Sequence, residues 1–133
     1  MPTEIDPQSR KLLEAPNFAH VATIREDGTP HAAPVWVDVD DGMILLNSAR
    51  GRAWPTNLDR DPHLSITVQN RENPYEYTSI RGEVTEQTTD GADAHINALA
   101  KKYLDKDEYP FRQPGEERVI VRVRPLHVFH NGG

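Results

Sequence analysis

The residues most open to chemical interpretation run Asn47-Ser48-Ala49-Arg50-Gly51-Arg52-Ala53-Trp54-Pro55-Thr56-Asn57-Leu58. Between Ser48 and Leu58 there are two arginines and no acid, in a chain where 21 Asp and Glu outnumber 15 Lys and Arg. The segment leaves an apolar run and opens what reads as a helix. A helix start offers unpaired N–H groups and the positive end of the helix dipole, so it holds anions. Arg50 and Arg52 add planar donor forks suited to phosphate or carboxylate. Gly51 lets a ligand come close to the backbone. The same spacing also describes two solvated loop arginines, and spacing alone leaves both readings open.

Other side chains offer less. None of His20, His31, His63, His95, His127 and His130 forms the i,i+4 helical pair of a zinc site. His127 and His130 are three apart on an expected strand and so point to opposite faces. His31 opens the second strand beside the first hairpin; no catalytic residue is marked outright, and a proton would come from solvent or a nearby group, with His31 the candidate. Trp36, on the same strand, reads as core, subunit interface or ligand contact. With no cysteine, disulfides, thiolate metal sites and cysteine nucleophiles are excluded together. The signatures of serine hydrolases, Rossmann enzymes and P-loop enzymes are missing. A net charge of −6 argues against a nucleic-acid partner, whose phosphates demand a basic excess. If the protein is an enzyme, a cofactor therefore carries the reaction, and an anion site after an apolar strand suits a phosphorylated one.

These residues need elements to position them. Asp6–Glu14 reads as a helix with Asp6 as N-cap and Pro7 in its first turn. Strands follow at Phe18–Arg25, at about His31–Asp38 and at Met43–Ser48, joined by turns at Asp27-Gly28 and Asp40-Asp41-Gly42. Trp54–Arg60 is a short helix, and Leu64, Ile66 and Val68 mark a fourth strand. Tyr75–Glu86 is a long strand with a bulge or bend at Gly82. Asp90–Leu104 is a helix, Asp105–Gly115 a loop, and Glu117–His130 a last strand that Pro125 interrupts or ends. The expectation is a mainly β, six-stranded antiparallel barrel forming one domain over residues 1–133. Counting Gly and leaving out Tyr, the apolar share is roughly 39%, below the roughly 45–50% of globular domains. Such a core is small for its chain, and a partner surface would complete it. No membrane-length apolar run or signal segment is present, so the expectation is a soluble, cytoplasmic protein without a membrane partner.

Phe18–His31, Pro34-Val-Trp-Val-Asp38, Gly51-Arg-Ala53 and Asn57–Pro62 together resemble the split β-barrel superfamily of pyridoxamine 5′-phosphate oxidase. Within it they are similar to a small actinobacterial branch that uses the deazaflavin coenzyme F420. The resemblance implies a homodimer with cofactor sites at the interface. It implies that the ring system lies against Ala33, Pro34, Val35, Trp36, Asn47 and Ser48. The phosphate and its acidic tail would meet Arg50, Arg52, Trp54 and the helix start near Asn57. Many relatives carry Lys where Trp54 stands here, which shifts the charge load onto Arg50. The C-terminus, from Leu126, lacks the Arg-rich substrate motif of true pyridoxamine phosphate oxidases, so vitamer oxidation is not the expected reaction. The implied activity is hydride transfer from reduced F420 to a conjugated small molecule such as an enone, a quinone or a tetrapyrrole. The alternatives are an FMN-dependent oxidoreductase of the same fold and a non-catalytic flavin-, F420- or haem-binding protein.

Overall fold

Asp6 and Pro7 start the first helix as their chemistry dictates. In the computed structural model, which describes residues 3–132, the Asp6 carboxylate accepts the Ser9 N–H at 3.0 Å and α1 runs Pro7–Glu14. Two strands follow, β1 (Ala19–Ile24) and β2 (Pro30–Val35). Their turn places Gly28 at a φ of 86°, which L side chains avoid. After β3 (Val37–Asp40), Asp41 and Gly42 both take positive φ, the geometry of a tight hairpin turn. β4 (Met43–Ala49), α2 (Ala53–Arg60), β5 (His63–Gln69), β6 (Glu76–Thr88), α3 (Ala92–Leu104) and β7 (Arg118–Gly132) complete the chain.

The strands form one antiparallel sheet of seven, ordered β2-β1-β5-β6-β7-β4-β3. The sequence pattern leads to six strands, because His31–Asp38 reads as one. The structure splits that run at Trp36: β2 pairs with β1, while β3 pairs with β4. The two halves sit at opposite edges of the sheet, and one residue joins them. Laid flat, seven strands place their edges about 29 Å apart at the usual spacing. Two Cα–Cα steps reach at most about 7.6 Å. The sheet must therefore curl until its edges nearly meet, which makes a barrel with a seam at Trp36.

The corner of that curl is Gly82. β6 and β7 shift register between Arg81 and Gly82, opposite Pro125. Pro125 has no N–H to give the ladder, so a bulge accommodates it, and β7 continues through it to Gly132 rather than ending there. The Pro125 carbonyl accepts the Thr3 N–H at 3.1 Å. Alternate residues fill the barrel, among them Val21, Ile44, Leu46, Ile66, Ile80 and Val121, all fully buried.

Helix α3 fastens the seam. The Tyr103 ring stacks on Trp36 with centroids 5.2 Å apart and planes 8° from parallel. Its hydroxyl accepts the Val37 N–H at 3.1 Å and donates to the Asn17 carbonyl at 2.6 Å. Lys102 Nζ donates to the carbonyls of Val37 and Leu13, both at 2.6 Å. Burial pushes the Tyr103 phenol up to about 12 and the Lys102 ammonium down to about 8. Among the described residues no helix is long and apolar enough to cross a membrane.

A Cβ on Gly82 would stand 2.5 Å from Val123 Cγ1 and 3.2 Å from the Arg124 carbonyl oxygen. Neither neighbour can swing away, since one is a buried branched side chain and the other is backbone. Gly82→Ala should therefore destabilise by about 1–3 kcal/mol, the usual cost of overpacking. A urea unfolding midpoint equal to that of the parent would show that the corner tolerates the methyl.

Candidate functional site

A cavity of about 420 Å³ lies along the seam. One wall is β2, with His31, Ala33, Pro34 and Val35, continued by Trp36. The other is the end of β4, with Asn47 and Ser48, followed by Arg52, Ala53 and Trp54 at the start of α2. The structure thus gathers nine of the residues singled out from sequence: His31, Ala33, Pro34, Val35, Trp36, Asn47, Ser48, Arg52 and Trp54. β3 pairs β4 only as far as Val37 opposite Leu46, and β2 is the other sheet edge. Both walls therefore present strand edge that no further strand covers.

Two expected residues lie elsewhere. Arg50 does not line the cavity; its Nε meets Glu117 Oε1 at 2.8 Å, with both side chains more than half exposed. Asn57 is buried on the inner side of α2, and its Nδ2 donates to Thr23 Oγ1 at 3.1 Å. It fastens α2 to β1.

The cavity also holds residues that sequence reasoning missed. Tyr109 and Phe111 come from the loop after α3, which has no periodicity to mark them. Tyr109 meets Trp36 edge-on at 5.9 Å and Phe111 at 5.7 Å, so the aromatic wall is continuous. Arg118 opens β7 and is buried. Strand alternation puts it on the face of Ile120, which α3 covers through Ala92, and that was the available signal. Arg118 Nε donates to Asn47 Oδ1 at 2.9 Å, and Nη1 pairs with Glu116 Oε1 at 2.5 Å. Tyr109 lies over the guanidinium, 4.9 Å from ring centroid to Cζ.

Glu116 links the two cationic residues of the cavity. The same Oε1 that meets Arg118 also accepts from Arg52 Nη2 at 3.3 Å, while Oε2 accepts the Gln113 N–H at 2.9 Å. Burial raises the pKa of this carboxyl, but the Gln113 N–H, Arg118 and Arg52 outweigh it, so the group is held below its ordinary value. Two further polar atoms, Ser48 Oγ and His31 Nδ1, are buried with no hydrogen-bond partner among the described residues. Buried polar atoms are usually paired, and leaving one unpaired costs about 1–3 kcal/mol. On a cavity wall, such atoms suit a ligand or a water.

Residues 5–132 match the family model for pyridoxamine 5′-phosphate oxidase. The chain belongs to that family. The family is one of oxidoreductases, and its fold binds flavins. A solved protein described as an F420 reductase matches with a TM-score of 0.82 and 29% identity, over 94% of this chain and 98% of its own. A conserved hypothetical protein of Mycobacterium tuberculosis matches with a TM-score of 0.74 and 20% identity, over 98% of this chain and 86% of its own. The general stress protein 26 of Bacillus anthracis matches with 0.68 and 16%, over 92% of this chain and 90% of its own. These last two speak for the fold alone. No curated protein matches the sequence significantly.

In this member of the family, Asn47 ties the cavity to α3. Arg118 Nε can only donate, so the atom it meets is the Asn47 oxygen, and the other end is the NH2. That NH2 donates to the Ala92 carbonyl and to His95 Nδ1, each at 3.0 Å. His95 is therefore the neutral tautomer with its proton on Nε2. Burial depresses its pKa; Asp38, at 3.9 Å from Nε2, opposes this, and Arg122, Arg118 and Lys102 reinforce it. A histidine pKa lowered on folding means that the unfolded chain binds the proton more readily. Stability should then fall as pH drops below about 6.5, down to the depressed folded value. Urea midpoints between pH 7.5 and 5.5 should decline more steeply in the parent than in His95→Gln. Parallel slopes would show that His95 does not titrate differently on folding.

Proposed function

We propose that this protein is an oxidoreductase that binds coenzyme F420 in the seam cavity and reduces a conjugated small molecule, such as an enone, a quinone or a tetrapyrrole. The observation that carries the reading is the composition of that cavity. Trp36, Tyr109 and Phe111 form an aromatic wall, strand edges face it on two sides, and a guanidinium stands at the helix start. A flat heteroaromatic ring with a phosphorylated tail needs all three. The likeness to the F420 reductase across nearly both chains supports the choice of cofactor.

A bound deazaflavin would supply the hydride chemistry. The chain's own residues bind and orient. Ala33, Pro34 and Val35 give one side of the ring slot, and Asn47, held by three hydrogen bonds, gives a rigid other side. Ser48 Oγ and His31 Nδ1 have no partner among the described residues of the cavity wall, and His31 is the side chain we assign as proton donor. Arg52 and the N–H groups of Ala53 and Trp54 at the start of α2 receive the phosphate. Arg50, in the turn between β4 and α2, is the cation that would meet an acidic tail beyond the phosphate. Trp54, buried against the core, supports this turn rather than adding charge.

Coenzyme F420 should bind more tightly than FMN at low salt, with the gap closing as salt rises. Arg52→Ala should weaken F420 binding about tenfold to a hundredfold, the worth of a charge-assisted fork. Arg50→Ala should cost less, because Arg50 does not line the cavity whereas Arg52 does. The quenching of Trp36 and Trp54, the two tryptophans of the chain, reads this directly since both line the cavity. Tighter FMN binding would make the protein a flavin enzyme, and binding of neither would remove the cofactor reading.

The outer face of the sheet supports a homodimer. Register aligns Pro34, His20, Thr67, Ser79 and Phe129 in one row and Ala32, Ala22, Ser65, Arg81 and His127 in the next. Their strand neighbours fill the core, so these side chains point outward. Of these ten residues only Arg81 is a lysine, arginine or acid, and Ile24, Leu126 and Phe129 are large apolar side chains left exposed on or beside the two rows. Such a face is unusual on a free monomer. Light scattering at micromolar concentration should give twice the 15.0 kDa chain mass. A mass of one chain would refute the dimer.

A further inference from the structure

Glu116 bridges the two arginines that line the cavity. Its Oε1 touches both Arg52 Nη2 and Arg118 Nη1, so the two guanidiniums converge on one carboxylate oxygen beside the cavity. The two contacts are not equivalent. Arg118 and Glu116 are both buried, their side chains 3% and 5% exposed, and they meet at 2.5 Å. Breaking such a pair leaves an uncompensated buried charge. Arg52 is half exposed and meets the same oxygen at 3.3 Å, a longer contact that solvent weakens. Arg118 Nη2 makes no hydrogen bond among the described residues, although the residue lines the cavity.

We propose that Glu116 is the specificity residue of this anion subsite: a resident carboxylate that keeps Arg118 and surrenders Arg52 only to a ligand of higher charge. The inference rests on the reading that the cavity takes a phosphorylated ligand, and it adds which anions are refused. A monoanion that displaces Glu116 from Arg52 exchanges one carboxylate-type contact for another and gains nothing. It must also enter beside the carboxylate it has displaced. A ligand with several negative charges close together gains more from Arg52, the start of α2 and the free Arg118 nitrogen than it loses to Glu116. The ligand class is therefore polyanionic, with phosphate charge reinforced by neighbouring phosphate or carboxylate groups. Arg50, parked on Glu117 one residue further along, repeats the arrangement at the outer rim.

Removing the resident charge should abolish the discrimination. The test titrates the full-length protein, free of cofactor, with pyrophosphate and with acetate at constant ionic strength, reading tryptophan fluorescence. The parent should bind pyrophosphate and show no saturable response to acetate. In Glu116→Gln, which keeps an oxygen for Arg118, acetate should bind with at least about a tenfold gain and pyrophosphate with a smaller one. In Glu116→Gln with Arg52→Ala both gains should vanish. Unchanged or weaker binding in Glu116→Gln overturns the proposal, because the carboxylate then organises the arginines instead of competing for them. A gain that survives the loss of Arg52 overturns it equally. If circular dichroism shows Glu116→Gln unfolded, Glu116→Asp withdraws the carboxylate by one methylene and should give a smaller gain of the same sign; no gain there overturns the proposal too. Titration with F420 and FMN separates the two readings. Cofactor binding without the anion pattern removes Glu116 alone, and the anion pattern without cofactor binding removes the cofactor and leaves Glu116.

Discussion

A sheet whose two edge strands are consecutive in sequence has to close, and that constraint organises this protein. Val35 ends one edge and Val37 begins the other, with only Trp36 between them. Every hydrogen-bonded pair from β1 to β4 must curl enough to satisfy that one-residue link. The closure stays incomplete, because β2 is paired to β1 alone and β4 outruns β3 by the length of Asn47–Ala49. What remains is a seam with strand edge on both sides. Edges of this kind normally invite another strand. Here the gap is lined by rings and polar side chains and opens a cavity of about 420 Å³.

The seam is held from outside by α3 and the loop that follows it. Tyr103 and Lys102 satisfy the backbone groups of Val37 beside the crossing, and Tyr103 stacks on Trp36. Asn47 is held by Ala92, His95 and Arg118, so the β4 wall is tied to α3. Groups fixed in advance lose little entropy when a ligand arrives, which is how a small cavity achieves useful affinity. The unfilled demand in this network is confined to few atoms, Ser48 Oγ and His31 Nδ1 among them. Rigid surroundings with a few uncommitted polar atoms are what a binding site requires.

Charge shows where local reading stops. The segment from Ser48 to Leu58 has two arginines and no acid, and from sequence it looks like an unopposed positive site. In the folded chain, β4 pairs with β7 so that Ala49 faces Arg118, and the glutamates just before Arg118 arrive beside the arginines just after Ala49. Glu116 takes Arg52 and Glu117 takes Arg50. The site is therefore a set of three guanidiniums and two carboxylates, one positive charge in excess, in which one pair is buried and the others are exposed. Electrostatic selectivity in such a set comes from which contact breaks first.

The amino-acid sequence is legible wherever an effect depends on near neighbours. Asp6-Pro7 starts a helix, Asp27-Gly28 and Asp41-Gly42 make turns, Gly82 bends a strand, and alternation assigns the core faces of β5 and β7, because these effects act over a few residues. It also marked most of the cavity, since His31–Trp36 and Asn47–Trp54 are each continuous in the chain. Whatever depends on register and closure belongs to the folded chain alone. The break at Trp36 is invisible in Val35-Trp36-Val37, whose alternation suits one unbroken strand; only pairing with different partners at the two sheet edges splits it. Tyr109 and Arg118 enter the site because α3 and β7 carry them there, and Asn57 leaves it because its face of α2 turns toward β1. The partners of Arg50 and Arg52 lie more than sixty residues away along the chain, at a distance that only strand pairing can bring to contact.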